Sequence, residues 1–80
     1  MEESRLRAQI TETFRDVLNS PNLELKDELT ANDVKGWDSL SHIDLIVALE
    51  SKLKVKLTTG EVSKLKNIGD LVSLLRRKTA

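Results

Sequence analysis

Gly36-Trp37-Asp38-Ser39-Leu40-Ser41-His42-Ile43-Asp44-Leu45-Ile46-Val47-Ala48-Leu49-Glu50 is the stretch that decides how this 80-residue chain is read. Within it Leu40, Ile43, Ile46, Val47 and Leu49 recur at mostly helical spacing, and Leu53 continues the stripe. Asp38 is a good N-cap type, because its carboxylate can accept from the free N–H groups of a first helical turn. Ser39 is then the first helical residue, with a hydroxyl that the cap does not need. A phosphate ester on it would face unpaired backbone N–H groups and the positive end of the helix dipole.

Upstream, Leu6, Ile10, Phe14, Val17 and Leu18 give an earlier amphipathic helix. Asn19-Ser20-Pro21-Asn22 stops it, since proline cannot continue a helix and pushes the residue before it out of the α region. From there to Trp37 no period is clear, which predicts a long loop with one helical turn near Asp27–Ala31. A connection of this length in a small domain is usually functional. Downstream, Ser51 to Leu57 alternates as a strand would. A single strand has no partner here, so the expectation is a fraying helix end and an extended loop. Thr58 and Glu61 fit a capping box for a short third helix ending near Lys64–Lys66. Asn67 can cap a last helix whose stripe is Ile68, Leu71, Val72 and Leu75, widened by Leu74. Arg76, Arg77 and Lys78 suit its negative end. The sum is an all-α domain spanning residues 1–80, a small bundle of three main helices and one short one.

Composition narrows the function classes. The chain has no cysteine and one histidine, which excludes disulfides, Cys-based metal sites and His-rich metal sites. Phe14 and Trp37 are its aromatics, too few for base-stacking platforms. No apolar run approaches a membrane span, and the charged N-terminus lacks a signal-peptide stretch, so a soluble, monomeric, cytoplasmic protein is expected. The net charge is zero but unevenly spread. Residues 1–50 carry eleven acidic and five basic side chains, and residues 51–80 carry two and eight. A basic half could meet an anionic partner, although charge runs are usually only solvated surface. No nucleic-acid motif is present, and no nucleic-acid partner is expected.

Gly36-Trp37-Asp38-Ser39-Leu40, with the helix from Ile43 to Glu50 behind it, resembles the acyl carrier proteins, and the likeness extends over nearly the whole chain. The tripeptide Asp38-Ser39-Leu40 alone is weak. At mid-chain of an 80-residue protein, with this helix after it, it is specific. The resemblance implies that Ser39 carries 4′-phosphopantetheine, transferred from coenzyme A by a phosphopantetheinyl transferase with magnesium. The transferase supplies positioning and charge neutralisation while the serine oxygen attacks. Asp38 would help it recognise the site, and Leu40 would dock on a partner's apolar surface. The arm's thiol would hold acyl intermediates as thioesters, at high local concentration for any enzyme that docks the carrier. The protein itself is then not an enzyme.

The same likeness assigns partner recognition to Trp37, Ile43, Asp44 and Glu50, and an acyl cavity to Ile46, Leu49, Leu57, Val62, Leu65 and Leu71. Each has a plainer reading. Periodic apolar residues are ordinarily core, exposed helix carboxylates ordinarily solubilise, and Trp37 could staple the helix start. His42, one turn after Ser39, could touch the arm or a partner or simply be exposed.

The chain also departs from the family. The usual carboxylate two residues past the serine is Ser41. The acid cluster closing the second helix is reduced to Glu50 before Ser51 and Lys52, and the third helix is not acidic. The attachment chemistry is untouched, but docking to general fatty-acid synthesis enzymes is not expected. The reading is a specialised carrier for a fatty-acid, polyketide or related pathway, served by dedicated acyl-loading and acyl-transferring enzymes. An aminoacyl or peptidyl carrier of a nonribosomal or cell-wall pathway would share the site. An armless interaction module would not need an intact Asp38-Ser39-Leu40.

Overall fold

A computed structural model describes residues 2–79, with the side chain of Ser39 outside that description. Four helices follow in order: α1 (Glu3–Val17), α2 (Ser39–Leu53), α3 (Thr59–Ser63) and α4 (Ile68–Thr79). α1 packs against α2 and α4. Leu6, Ile10 and Phe14 from α1 meet Leu45 and Leu49 from α2 and Leu71, Val72 and Leu75 from α4 in one cluster closed to water. In α1 and α4 these are the positions that the helical spacing puts on one face; in α2 the expected stripe divides, with Ile46, Leu49 and Leu53 buried, Leu40, Ile43 and Val47 exposed, and Leu45, which lay outside the stripe, in the core. Burying a residue of this size is worth about 1.5–3 kcal/mol, so the three stripes account for the association of the helices.

Two of the main helices end in the same way. Asn19 adopts φ 53°, its N–H reaches the Asp16 carbonyl, and the Ser20 N–H reaches the Arg15 carbonyl at 2.9 Å. At the end of α2, Lys54 adopts φ 56°, its N–H donates to Glu50 O, and the Val55 N–H bonds the same carbonyl at 3.1 Å. A left-handed residue after the last turn lets the chain satisfy carbonyls that have no partner within the helix. Residues 55–58, after Lys54, form neither helix nor strand, as expected of a loop.

The long loop between α1 and α2 differs in one respect from expectation. The segment Asp27–Ala31 forms no helical turn. Two separate turns stand there instead, closed by Leu29 N–H to Lys26 O at 3.0 Å and Asp33 N–H to Thr30 O at 2.9 Å. The physical reason is a competing set of partners. The carbonyls of Asp27 and Leu29 accept from the Gly69 and Ile68 N–H groups at the start of α4, both at 2.9 Å, and so are turned away from a helical ladder. The Arg7 guanidinium grips the Asp27 carboxylate at 2.7 Å, and Arg15 Nε donates to Leu23 O at 2.7 Å. The loop also sinks Val34 and Trp37 into the core.

The charge asymmetry has a structural use. Glu3 pairs with Arg76 at 2.6 Å and Glu12 with Lys52 at 2.8 Å, so acids of α1 meet bases of the later helices. Lys78 meets Glu61 at 2.9 Å across α3 and α4. Exposed pairs of this kind contribute little each, ~0–1 kcal/mol, but they consume part of the basic half within the molecule.

Candidate functional site

The start of α2 is built from three overlapping side-chain closures. In the first, Asp38 Oδ1 accepts from the Leu40 and Ser41 N–H groups at 3.0 and 2.9 Å, and the Asp38 N–H returns to Ser41 Oγ at 2.7 Å. This is a capping box with serine in the position more often held by Glu or Gln. In the second, the Ser41 hydroxyl donates back to the Gly36 carbonyl at 2.6 Å. A carboxylate at residue 41 could accept from Asp38 but could not donate to Gly36. The third joins Trp37 Nε1–H to His42 Nδ1 at 3.0 Å, with the two rings stacked at 5.9 Å.

The approach is fixed as well. Gly36 has φ 88° in a turn closed by Trp37 N–H to Val34 O at 3.1 Å, and only glycine takes that conformation without strain. Trp37 then meets Phe14 edge to face, with ring centroids 5.1 Å apart. Residue 39 thus opens a helix whose mouth is anchored to the core through one aromatic side chain.

The electrostatics follow from the bonds. The backbone N–H of Ser41, then that of Leu40, hold the Asp38 carboxyl below its ordinary value, so it stays ionised at the helix mouth. The donors expected to be free for an ester are therefore engaged: Leu40 and Ser41 with Asp38 Oδ1, and the His42 N–H with Asp38 O at 2.8 Å. Burial pushes His42 below its ordinary value.

The other expected site residues separate into groups. Leu40 and Ile43 are exposed, at 77% and 61%, and with Val47 at 58% they form an apolar ridge along α2. Asp44 is exposed beside it. Trp37 is 9% exposed and engaged in the core. Glu50 is half-buried and accepts the Leu57 N–H at 2.9 Å, bridging the loop after α2. Of the six residues named for an acyl cavity, Ile46, Leu57 and Val62 line an open groove of about 350 Å³ between α2 and α3, joined by His42, Ile43, Val47 and Thr59. Leu49 and Leu71 lie in the closed core, and Leu65 lines a separate depression between α3 and α4. Sequence reasoning missed the structural work of Ser41 and His42. The spacing Asp38-x-x-Ser41 was a usable capping signal, whereas nothing in the spacing of Trp37 and His42 announces their bond. Among the described residues there is no cluster of metal-ligating side chains and no helix long and apolar enough to cross a membrane.

A four-helix bundle presenting an Asp-Ser-Leu helix start beside an apolar ridge defines a class of carrier domains, and comparison with known proteins agrees. Residues 8–75 match the family described as phosphopantetheine attachment site. The acyl carrier protein of Acidothermus cellulolyticus is 31% identical over 70 residues, which span 88% of this chain and 83% of that protein. That of Clostridium acetobutylicum is 30% identical over 71 residues, 89% of this chain and 92% of that one. The solution structure of holo acyl carrier protein from Geobacter metallireducens superposes with a TM-score of 0.85 at 45% identity, covering 91% of this chain and 84% of that one. The chain belongs to the acyl carrier protein family, whose prosthetic group is 4′-phosphopantetheine.

Proposed function

We propose that Ser39 is the attachment point for 4′-phosphopantetheine and that the protein carries acyl groups for a dedicated pathway, apart from general fatty-acid synthesis. The observation that carries the first part is the division of labour at the start of α2. Asp38 and Ser41 make the capping bonds, so the cap makes no demand on residue 39. The donor set suits a tether. With the Leu40 and Ser41 N–H groups engaged and an ionised carboxylate alongside, this helix mouth has no strong hold on an anionic ester and leaves the arm free to move. When bound, the arm supplies the thiol on which cargo is carried.

The second part rests on charge. Asp44 is the exposed carboxylate of α2, because Glu50 is committed to the Leu57 N–H and Ser41 to the cap. Exposed Lys54 and Lys56 follow the helix. A partner that docks on Leu40, Ile43 and Val47 therefore needs an apolar hollow with few cations around it. The partners are a phosphopantetheinyl transferase and the pathway's acyl-loading and acyl-transferring enzymes, acting on a monomeric carrier in the cytoplasm. Ile46, Leu57 and Val62 would receive the near end of the cargo in the groove.

Intact-mass measurement tests this. Incubation with coenzyme A, magnesium and a promiscuous phosphopantetheinyl transferase is expected to add one phosphopantetheine, and Ser39→Ala to add none. No mass gain in folded wild-type protein, with two transferases, would sink the carrier reading. Loading trials with malonyl against amino-acid substrates then separate an acyl from an aminoacyl carrier.

A further inference from the structure

The Trp37–His42 bond fixes the protonation state of His42. An indole N–H donates only, so Nδ1 must accept and the ring proton must lie on Nε2. This bond spans Asp38–Ser41 and contains residue 39 within its closure. Its other end is sunk in the core, where Trp37 meets Phe14 at 5.1 Å. A proton added to Nδ1 would set two donors against each other at 3.0 Å and break the closure.

Charged neighbours do not offset this. In the depression at the helix mouth His42 shares walls with Ala31, Asn32, Trp37 and Asp38. The Asp38 carboxylate there is already held by two N–H groups. On the other side α3 and the loop before it present Leu57, Thr59 and Val62, none of which titrates. α1 reaches the pair through Phe14, whose ring meets Trp37.

We propose that the Trp37–His42 hydrogen bond is a proton-sensitive latch, closed while His42 is neutral, which positions the Ser39 segment for modification. The role in modification rests on Ser39 being the attachment point, whereas the latch itself does not. His42 is a positioning residue, acting through Trp37. Burial lowers its folded value, so the stabilisation it brings is complete above the ordinary histidine value of about 6.5 and is lost as pH falls through the folded value. The two other closures, made by Asp38 and Ser41, persist through that window because the Ser41 and Leu40 N–H groups hold the Asp38 carboxyl below its ordinary value.

Two measurements test the proposal. In the first, the His42 ring and the Trp37 indole N–H are followed by NMR in the full chain from pH 8 to pH 4.5. Both are expected to move with one shared midpoint below about 6.5. In His42→Asn, which keeps an acceptor near the Nδ1 position but does not titrate, the indole signal should stay flat. In Trp37→Phe, which removes the donor, the His42 midpoint should rise. In the second, the rate of phosphopantetheine transfer is compared between wild type and His42→Asn at each pH, so that the transferase's own pH dependence cancels. The ratio of wild type to variant is expected to fall about twofold between about pH 7.5 and the His42 midpoint read by NMR, where half of the latches are open. A His42 titration that leaves the indole unmoved, or superimposable pH profiles, would overturn the latch. Absence of any transfer to wild type would instead sink the carrier reading, and the NMR arm would still decide the latch.

Discussion

The Gly69 N–H donates to the Asp27 carbonyl at 2.9 Å, which fastens the middle of the α1–α2 loop to the first turn of α4. The approach is so close that a Cβ on residue 69 would meet Asp27 Cβ at 3.2 Å and its carbonyl oxygen at 3.3 Å. Asp27 cannot easily retreat, because Arg7 holds its carboxylate at 2.7 Å. Gly69→Ala gains up to ~1 kcal/mol of helix propensity but incurs overpacking of about 1–3 kcal/mol. The expected outcome is a net loss on the order of 1 kcal/mol in urea unfolding, with the fold retained. An increase in stability would show that the loop is not pinned here.

Glu50 offers a way to separate docking from structure. Its carboxylate accepts the Leu57 N–H at 2.9 Å, and a hydrogen bond to a charged group is worth about 1.5–3 kcal/mol. Glu50→Ala should lower stability by roughly that amount, while Glu50→Gln, which keeps an acceptor, should lose less than half as much. Transferase turnover on folded Glu50→Gln should match wild type. A turnover defect in Glu50→Gln without a stability defect would return Glu50 to the docking face.

The Asp38 cap sets a pH dependence at the acid end. Its carboxyl is held low chiefly by the Ser41 N–H, so the charged cap stabilises above the unfolded value of about 3.9 and is lost as pH falls through the folded value. Asp38→Ala should lower the thermal midpoint at pH 7, and Asp38→Asn should lower it less. Thermal midpoints of wild type and Asp38→Asn should converge as pH falls below the ordinary aspartate value of about 3.9. Parallel curves down to pH 2 would contradict the bond pattern.

Lys54 holds a left-handed conformation that costs a non-glycine residue about 1 kcal/mol. Lys54→Gly is expected to leave the reversal intact and to raise the thermal midpoint by a few degrees, since 1 kcal/mol shifts a domain of this size by about 4–8 °C. A fall in the midpoint would mean that the lysine side chain contributes more than its backbone strain removes.

Periodicity made the helices legible. The stripes of α1 and α4 and the Thr58–Glu61 box could be read residue by residue, because their interactions are local in the chain; in α2 the period marked the helix but not its buried face, since Leu45 packs inward while Leu40, Ile43 and Val47 stay exposed. The Glu61 carboxylate accepts the Thr58 N–H at 3.0 Å, as its spacing implied. What stayed hidden was long-range or chemically degenerate. The aperiodic loop is ordered by main-chain bonds to Ile68 and Gly69, forty residues away, and no local pattern announces them. Glu50 looked like a surface acid because a carboxylate does not reveal in sequence whether it will meet water or an N–H. Leu49 and Ile46 look equally apolar, yet one is closed in the core and the other opens on a groove. The Asp38 cap was foreseeable, but its corollary was drawn the wrong way: a good cap occupies the same donors that an ester would have used.

The closures around residue 39 also bear on delivery. An arm hung from a stiff mount swings about a fixed pivot, so the volume it sweeps depends on the arm's own length and not on loop breathing. On the proposed attachment at Ser39, each partner that accepts the apolar ridge then needs to match the distance from one point on α2 to its own reaction centre, whatever the rest of its shape.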